Sequence, residues 1–154
     1  MNRDFAEMLA ALLAAKAEFL VVGAYAMAVH ARPRATGDID LWVNPTPENA
    51  PRVWSALEAF GAPLERLRPE ELQSNDLIFQ IGVPPSRVDI LTGISGLTFA
   101  EAWPDRVTVV VEGHNVPVLG RAALLRNKAA AGRPRDLADI AELLAQDERG
   151  GSKG

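Results

Sequence analysis

The segment Asp38-Ile39-Asp40-Leu41-Trp42-Val43 constrains the fold more than any other stretch of the chain. Its residues alternate in character, and a period of two belongs to a strand. Ile39, Leu41 and Val43 share one face, while Asp38, Asp40 and Trp42 share the other. A strand with an apolar face needs a covering layer, either helices or a second sheet. The two carboxylates stand about 7 Å apart at their Cα atoms. Strands disfavour Asp, and two like charges about 4 Å apart repel by about 4 kcal/mol at an effective dielectric of about 20. A divalent cation offsets that repulsion, because carboxylate oxygens are natural ligands of Mg²⁺. The same spacing also suits a solvated strand start, with Asp38 in a turn and Asp40 facing water.

The surrounding chain supplies the layers. Asp4 to Lys16 carries Phe5, Met8, Leu9, Leu12 and Leu13 at helical spacing. Phe19 to Val22 reads as a buried strand ended by Gly23, and Ala24 to Ala31 as a helix. The loop Arg32 to Gly37 is punctuated by Pro33 and Gly37. Thr46 and Pro47 signal a helix to Phe60, closed by Gly61. Leu77 to Ile81 and Arg87 to Leu91 read as strands. Val107 to Val111 and Val116 to Leu119 form a hairpin around residues 112–115. Arg121 to Ala131 and Pro134 to Gln146 are the closing helices. This order predicts an α/β (α+β) domain, a mixed sheet flanked by helices with a C-terminal helix pair. The later strands lie too close together for a purely parallel sheet.

With 154 residues, 48% hydrophobic and 23% charged, the chain suits one domain over residues 1–149. Gly150-Gly151-Ser152-Lys153-Gly154 has nothing to bury and reads as a disordered tail. The absence of cysteine excludes disulfides, thiolate zinc sites and cysteine nucleophiles. No uncharged stretch reaches the roughly 18 residues of a membrane span. Asp4 and Glu7 interrupt any signal-peptide layout, so a cytoplasmic protein is expected. The net charge of -4 gives no global pull toward nucleic acid.

Two further features carry chemistry. In Arg87-Val88-Asp89-Ile90-Leu91, a carboxylate sits inside an apolar strand, where an unpaired charge is costly. If this strand neighbours the first, Asp89 completes a cluster with Asp38 and Asp40. On an edge strand it would instead face solvent or pair with Arg87. In Val21-Val22-Gly23-Ala24, a strand runs into a helix through a small-residue turn. The N–H groups of a helix start suit phosphate, and Gly23 permits close approach. A plain strand-to-helix turn has the same sequence.

Gly23-Ala24, Asp38-Ile39-Asp40 and the later Asp89 together resemble the DNA polymerase β-like nucleotidyltransferase superfamily. Its pattern is a Gly-Gly or Gly-Ser turn, a short gap, Asp-x-Asp or Asp-x-Glu, and a third carboxylate on a later strand. The run Arg34-Ala35-Thr36-Gly37-Asp38-Ile39-Asp40 is similar to small prokaryotic members related to abortive-infection and toxin–antitoxin nucleotidyltransferases. So is the closing stretch from Leu125 to Ile140. Ala24 departs from the pattern, where Gly or Ser is usual. The resemblance implies that Asp38, Asp40 and Asp89 are catalytic and hold two Mg²⁺ ions, with Mn²⁺ an alternative. It implies nucleotide contacts from Gly23, Ala24, Arg34, Thr36 and Lys128. The implied reaction moves an NMP from an NTP to a hydroxyl of a protein, a tRNA or a small alcohol, releasing pyrophosphate. The other reading is a non-catalytic protein on the same fold, an antitoxin or regulatory partner. For the enzyme, a chain this short is expected to use a partner protein or a second copy of itself to build the acceptor side of the site.

Among the remaining residues, Arg121, Arg126, Lys128, Arg133 and Arg135 form a basic cluster. Asp136 and Asp139 share a side of the last helix, while Leu137, Ile140 and Leu144 read as its apolar stripe. These charges also suit a solvated, salt-bridged helix pair. Arg34 suits either a bidentate phosphate contact or a structural pairing with acids. Trp42, Trp54 and Trp103 read as packing residues, and neither His30 nor His114 shows a catalytic partner.

Overall fold

The computed structural model describes residues 1–151, with side chains to Gln146. Helix α1 (Arg3–Ala14) begins at Asn2, whose side chain accepts from the Asp4 and Phe5 N–H groups. That satisfies donors the first turn leaves open. Strand β1 (Phe19–Val22) passes directly into α2 (Gly23–His30). Strand β2 (Asp38–Val43) is followed by α3 (Ala50–Phe60). Then come two 3-10 turns (Leu64–Arg66 and Pro69–Gln73), β3 (Ile78–Ile81) and β4 (Arg87–Leu91). The chain continues through α4 (Phe99–Ala102) and a further 3-10 turn (Trp103–Asp105). Strands β5 (Val107–Val111) and β6 (His114–Val118) precede α5 (Arg121–Ala131) and α6 (Pro134–Gly151). Of the expected tail, Gly150 and Gly151 close α6, and residues 152–154 lie outside the described residues.

The strands form one mixed sheet in the order β3-β4-β2-β1-β6-β5. Strand β2 runs antiparallel to β1 and parallel to β4. The register sets Asp40 opposite Asp89 and Asp38 opposite Arg87. In-register neighbours point to the same face, so the sheet itself gathers the charged residues. The other face of β2 is fully buried through Ile39, Leu41 and Val43. On the charged face, Trp42 packs edge-on against Phe99 of α4, with ring centroids 5.2 Å apart. Trp103 stacks on the same Phe99, so both indoles serve packing as expected.

Buried Asn49 ties the sheet together. Its amide donates to the Glu18 and Asn44 carbonyls, both at 2.9 Å, and its Oδ1 accepts from the Glu18 N–H at 2.7 Å. This clamps the start of β1 to the end of β2. It also explains why α3 starts at Ala50 rather than at Pro47. Residues 47–49 form a turn, with Thr46 Oγ1 accepting from the Asn49 N–H.

The structure revises two further expectations. Glu112 and Gly113 both adopt positive φ, 48° and 81°, which makes a two-residue hairpin turn. His114 and Asn115 therefore begin β6 rather than extending the turn. The inward face of α6 is turned by about a quarter turn from the expected Leu137, Ile140 and Leu144 stripe, with Leu143 fully buried and Ile140 half-buried. Asp136 and Asp139 are buried, whereas Leu137 and Leu144 are exposed. Cations packed beneath the helix attract its carboxylates inward.

Candidate functional site

Asp38 and Asp40 come from β2, and Asp89 from the adjoining β4. Oxygens of the three carboxylates lie within 4.8 Å of one another. Asp89 is buried, and the other two are half-buried. Burial, reinforced by the charges of Asp38 and Asp89 and a hydrogen bond with Asp89, pushes the Asp40 carboxyl up to about 7. Without a cation this cluster holds a proton that an isolated Asp would have lost at neutral pH.

Arg87 borders the cluster. Its guanidinium pairs with Asp38 and lies 3.1 Å from Asp89, Nε to Oδ1. Arg87 Nη2 donates to Asp89 Oδ2 at 3.3 Å, but the Nε–Oδ1 approach is not aligned for hydrogen bonding, so Asp89 Oδ1 remains a buried acceptor without a hydrogen bond. Thr36 Oγ1 lies 3.0 Å from Asp38 Oδ1 and fixes the loop before β2 onto the same carboxylate. The donor set is three hard oxygens, one of them buried and unsatisfied, around a suppressed negative charge. That chemistry fits a divalent metal.

Gly23 stands against this cluster. Its φ is +67°, and a Cβ there would overlap Asp40 Oδ2. Only glycine lets the start of α2 approach the carboxylate so closely. Gly23, Ala24, Arg34, Thr36, Asp38, Asp40 and Lys128 all line one cleft of about 280 Å³, with Arg133, Arg135 and Asp139 on its wall. The sequence-derived nucleotide contacts are thus brought together. Asp89 sits behind Asp40 and does not line the cleft.

The cations on the cleft wall are already partnered, with one exception. Arg34 Nη2 lies 3.2 Å from Asp139 Oδ1 and 3.0 Å from Glu142 Oε2. Lys128 Nζ lies 2.9 Å from Asp139 Oδ2 and 3.4 Å from Asp136 Oδ1. Arg133 Nε donates to Asp136 Oδ2 at 2.6 Å, and its backbone N–H donates to the same oxygen. The Arg133 hydrogen bonds, then the nearby positive charges, hold the Asp136 carboxyl down at about 2 despite its burial. Arg135 is exposed at the cleft and has no ion pair among the described residues.

Sequence reasoning named Arg87 only as a local partner for Asp89. Its place opposite Asp38 depends on the parallel register of β2 and β4, which no local pattern encodes. His30 Nε2 donates to the Leu119 carbonyl at 2.8 Å, a structural tie between α2 and the end of β6.

No family model matches the chain, and no curated protein matches its sequence. Among solved structures, it is similar to the crystal structure of ANT(2")-Ia in complex with adenylyl-2"-tobramycin. The TM-score is 0.56 at 14% identity, over 92% of this chain and 86% of that one. The likeness is one of fold, and the mixed sheet with its flanking helices is a nucleotidyltransferase-like fold. No helix among the described residues is long and apolar enough to cross a membrane.

Proposed function

We propose that the chain is a Mg²⁺-dependent nucleotidyltransferase that moves an NMP from an NTP to a hydroxyl acceptor. The observation that carries this reading is the meeting of Asp38, Asp40 and Asp89 beside the Gly23 turn, at the edge of a cation-lined cleft. Asp38 and Asp40 would hold a metal shared with the nucleotide phosphates, and Asp89 would join them for a second ion. Bound Mg²⁺ neutralises phosphate charge and acts as a Lewis acid at the transferring phosphorus.

The chain's own groups supply the rest. The Gly23 and Ala24 N–H groups open the N-terminus of α2 to phosphate. Arg34, Lys128 and Arg135 face the polyphosphate across the cleft. The acceptor oxygen bonds to the α-phosphorus as the bond from that phosphorus to the bridging oxygen breaks, and pyrophosphate leaves. The acceptor proton passes to Asp40, which lines the cleft, while Asp89 behind it would serve as a ligand of the metal. The fold shared with ANT(2")-Ia, crystallised with adenylyl-2"-tobramycin, supports a small polyhydroxylated acceptor as the first class to try.

The test is to incubate the chain with each labelled NTP and Mg²⁺, beside an Asp38→Ala/Asp40→Ala control. The acceptors are an aminoglycoside, bulk tRNA and cell lysate. Label transfer that disappears in the control supports the enzyme. No labelled product with any nucleotide counts against it. Ala24 favours a second reading, because it stands in the cleft where a hydroxyl would reach phosphate. Nucleotide binding without transfer would support that reading, a binding or regulatory protein.

A further inference from the structure

Strand β5 ends the sheet. Its sequence, Val107-Thr108-Val109-Val110-Val111, has high β-propensity and lacks the lysine, proline or bulge that usually blunts an edge. The two-residue turn makes Val111 and His114 the closing hydrogen-bonded pair. Val107, Val109 and Val111 therefore direct their backbone groups toward β6, and Thr108 and Val110 direct theirs outward. Both outward residues are exposed, Val110 at 69%. Beside the edge, Val109 and Val111 share an apolar groove of about 160 Å³ with Tyr25 and Val29.

We propose that this edge is a self-association surface, and that two copies pair β5 to β5 about a two-fold axis at Val109. An antiparallel pair centred there sets Thr108 against the partner's Val110, so the outward N–H and C=O groups of both strands are exchanged. The same register sets Arg106 against the partner's Glu112. Both residues are exposed and of opposite charge. Arg106 rests on the Trp103 ring, 3.9 Å from its centroid, and donates to the Trp103 carbonyl. It would keep its charge while turning toward the partner's Glu112. Sliding the strands by one pairing step in either direction removes that match, so charge selects the register that the backbone permits. The apolar grooves of the two copies meet at the axis, where Val109 faces the partner's Val109. The sheet continues through the interface, and the carboxylate clusters on β2 and β4 lie well away from it. The inference stands on the β5 edge alone and is independent of the reaction proposed above.

The chain has no cysteine, which gives a direct test of register. A non-hydrogen-bonded antiparallel pair brings facing side chains within disulfide range. Val109→Cys should form a disulfide-linked dimer under mild oxidation. Val110→Cys, whose mate is Thr108, should cross-link poorly. Sedimentation equilibrium of the unmodified chain should show a concentration-dependent dimer. Arg106→Glu or Glu112→Arg should each weaken it about tenfold, and the double reversal should restore it. A chain monomeric at every concentration overturns the proposal. So does a folded Val109→Cys variant, verified by its melting curve, that cross-links no faster than Val110→Cys.

Discussion

Asp40 on β2 stands directly across the parallel register from Asp89 on β4. Burial, then the neighbouring carboxylates, favour the protonated form of Asp40. The sheet sets that cost, because it fixes both side chains on one face.

Metal binding should therefore compete with a proton. The Asp40 carboxyl is pushed up to about 7 in the folded chain, against about 3.9 when unfolded. Between those values the folded state holds more protons, so the metal-free chain loses stability as pH rises. Above about 7 the carboxylate is free to bind a cation. Mg²⁺ or Mn²⁺ should raise Tm more at pH 8 than at pH 6. Asp40→Asn should abolish the metal response while raising the metal-free Tm at pH 8. An equal metal shift at both pH values would refute this assignment of the proton.

Gly23→Ala should damage both the fold and the site. The left-handed backbone alone costs about 1–2 kcal/mol for a residue with a Cβ, and the new methyl displaces Asp40. Gly61→Ala is the control. Gly61 also has positive φ, 89°, but nothing lies within 4 Å of the point a methyl would occupy there. Thermal melts with and without Mg²⁺ should show both variants destabilised, and only Gly23→Ala with a weakened metal response.

The inward acidic face of α6 should be visible in acid. Asp136 is held at about 2, first by hydrogen bonds from Arg133, so its contribution is present above about 3.9. It is lost as pH falls toward 2. Asp136→Asn should be less stable than the unmodified chain at neutral pH, and the gap should narrow between about pH 4 and pH 2. Leu137→Ala, on the exposed face, should change stability by less than about 0.5 kcal/mol. A larger effect of Leu137→Ala than of Asp136→Asn would mean that the helix packs the other way round.

Local pattern was enough for β1, β2, β4, β5 and α5, whose bounds agree with the alternation and capping signals. It also placed Asp38 and Asp40 on one face. It missed α4, four residues long and below the reach of periodicity, although Thr98 and Glu101 form the capping box that marks its start. It misplaced the inward face of α6 by about a quarter turn, because hydrophobic pattern cannot register that Lys128, Arg133 and Arg34 pair with Asp136 and Asp139. Arg87 beside Asp38 was beyond local reasoning, since their pairing crosses 49 positions of chain. That neighbour is fixed only once β2 and β4 are zipped together.

The network under α6 also changes what ligand capture would involve. Arg34 and Lys128 already hold Asp139, and Arg34 also holds Glu142. A polyphosphate entering the cleft would exchange tethered carboxylates for its own oxygens rather than release mobile ions into solution. Affinity that depends on freed counterions falls steeply with salt. Here the displaced counterions are covalently part of the chain, so ionic strength has little leverage on the equilibrium. Arg135, which has no such partner among the described residues, is where the remaining salt sensitivity would concentrate.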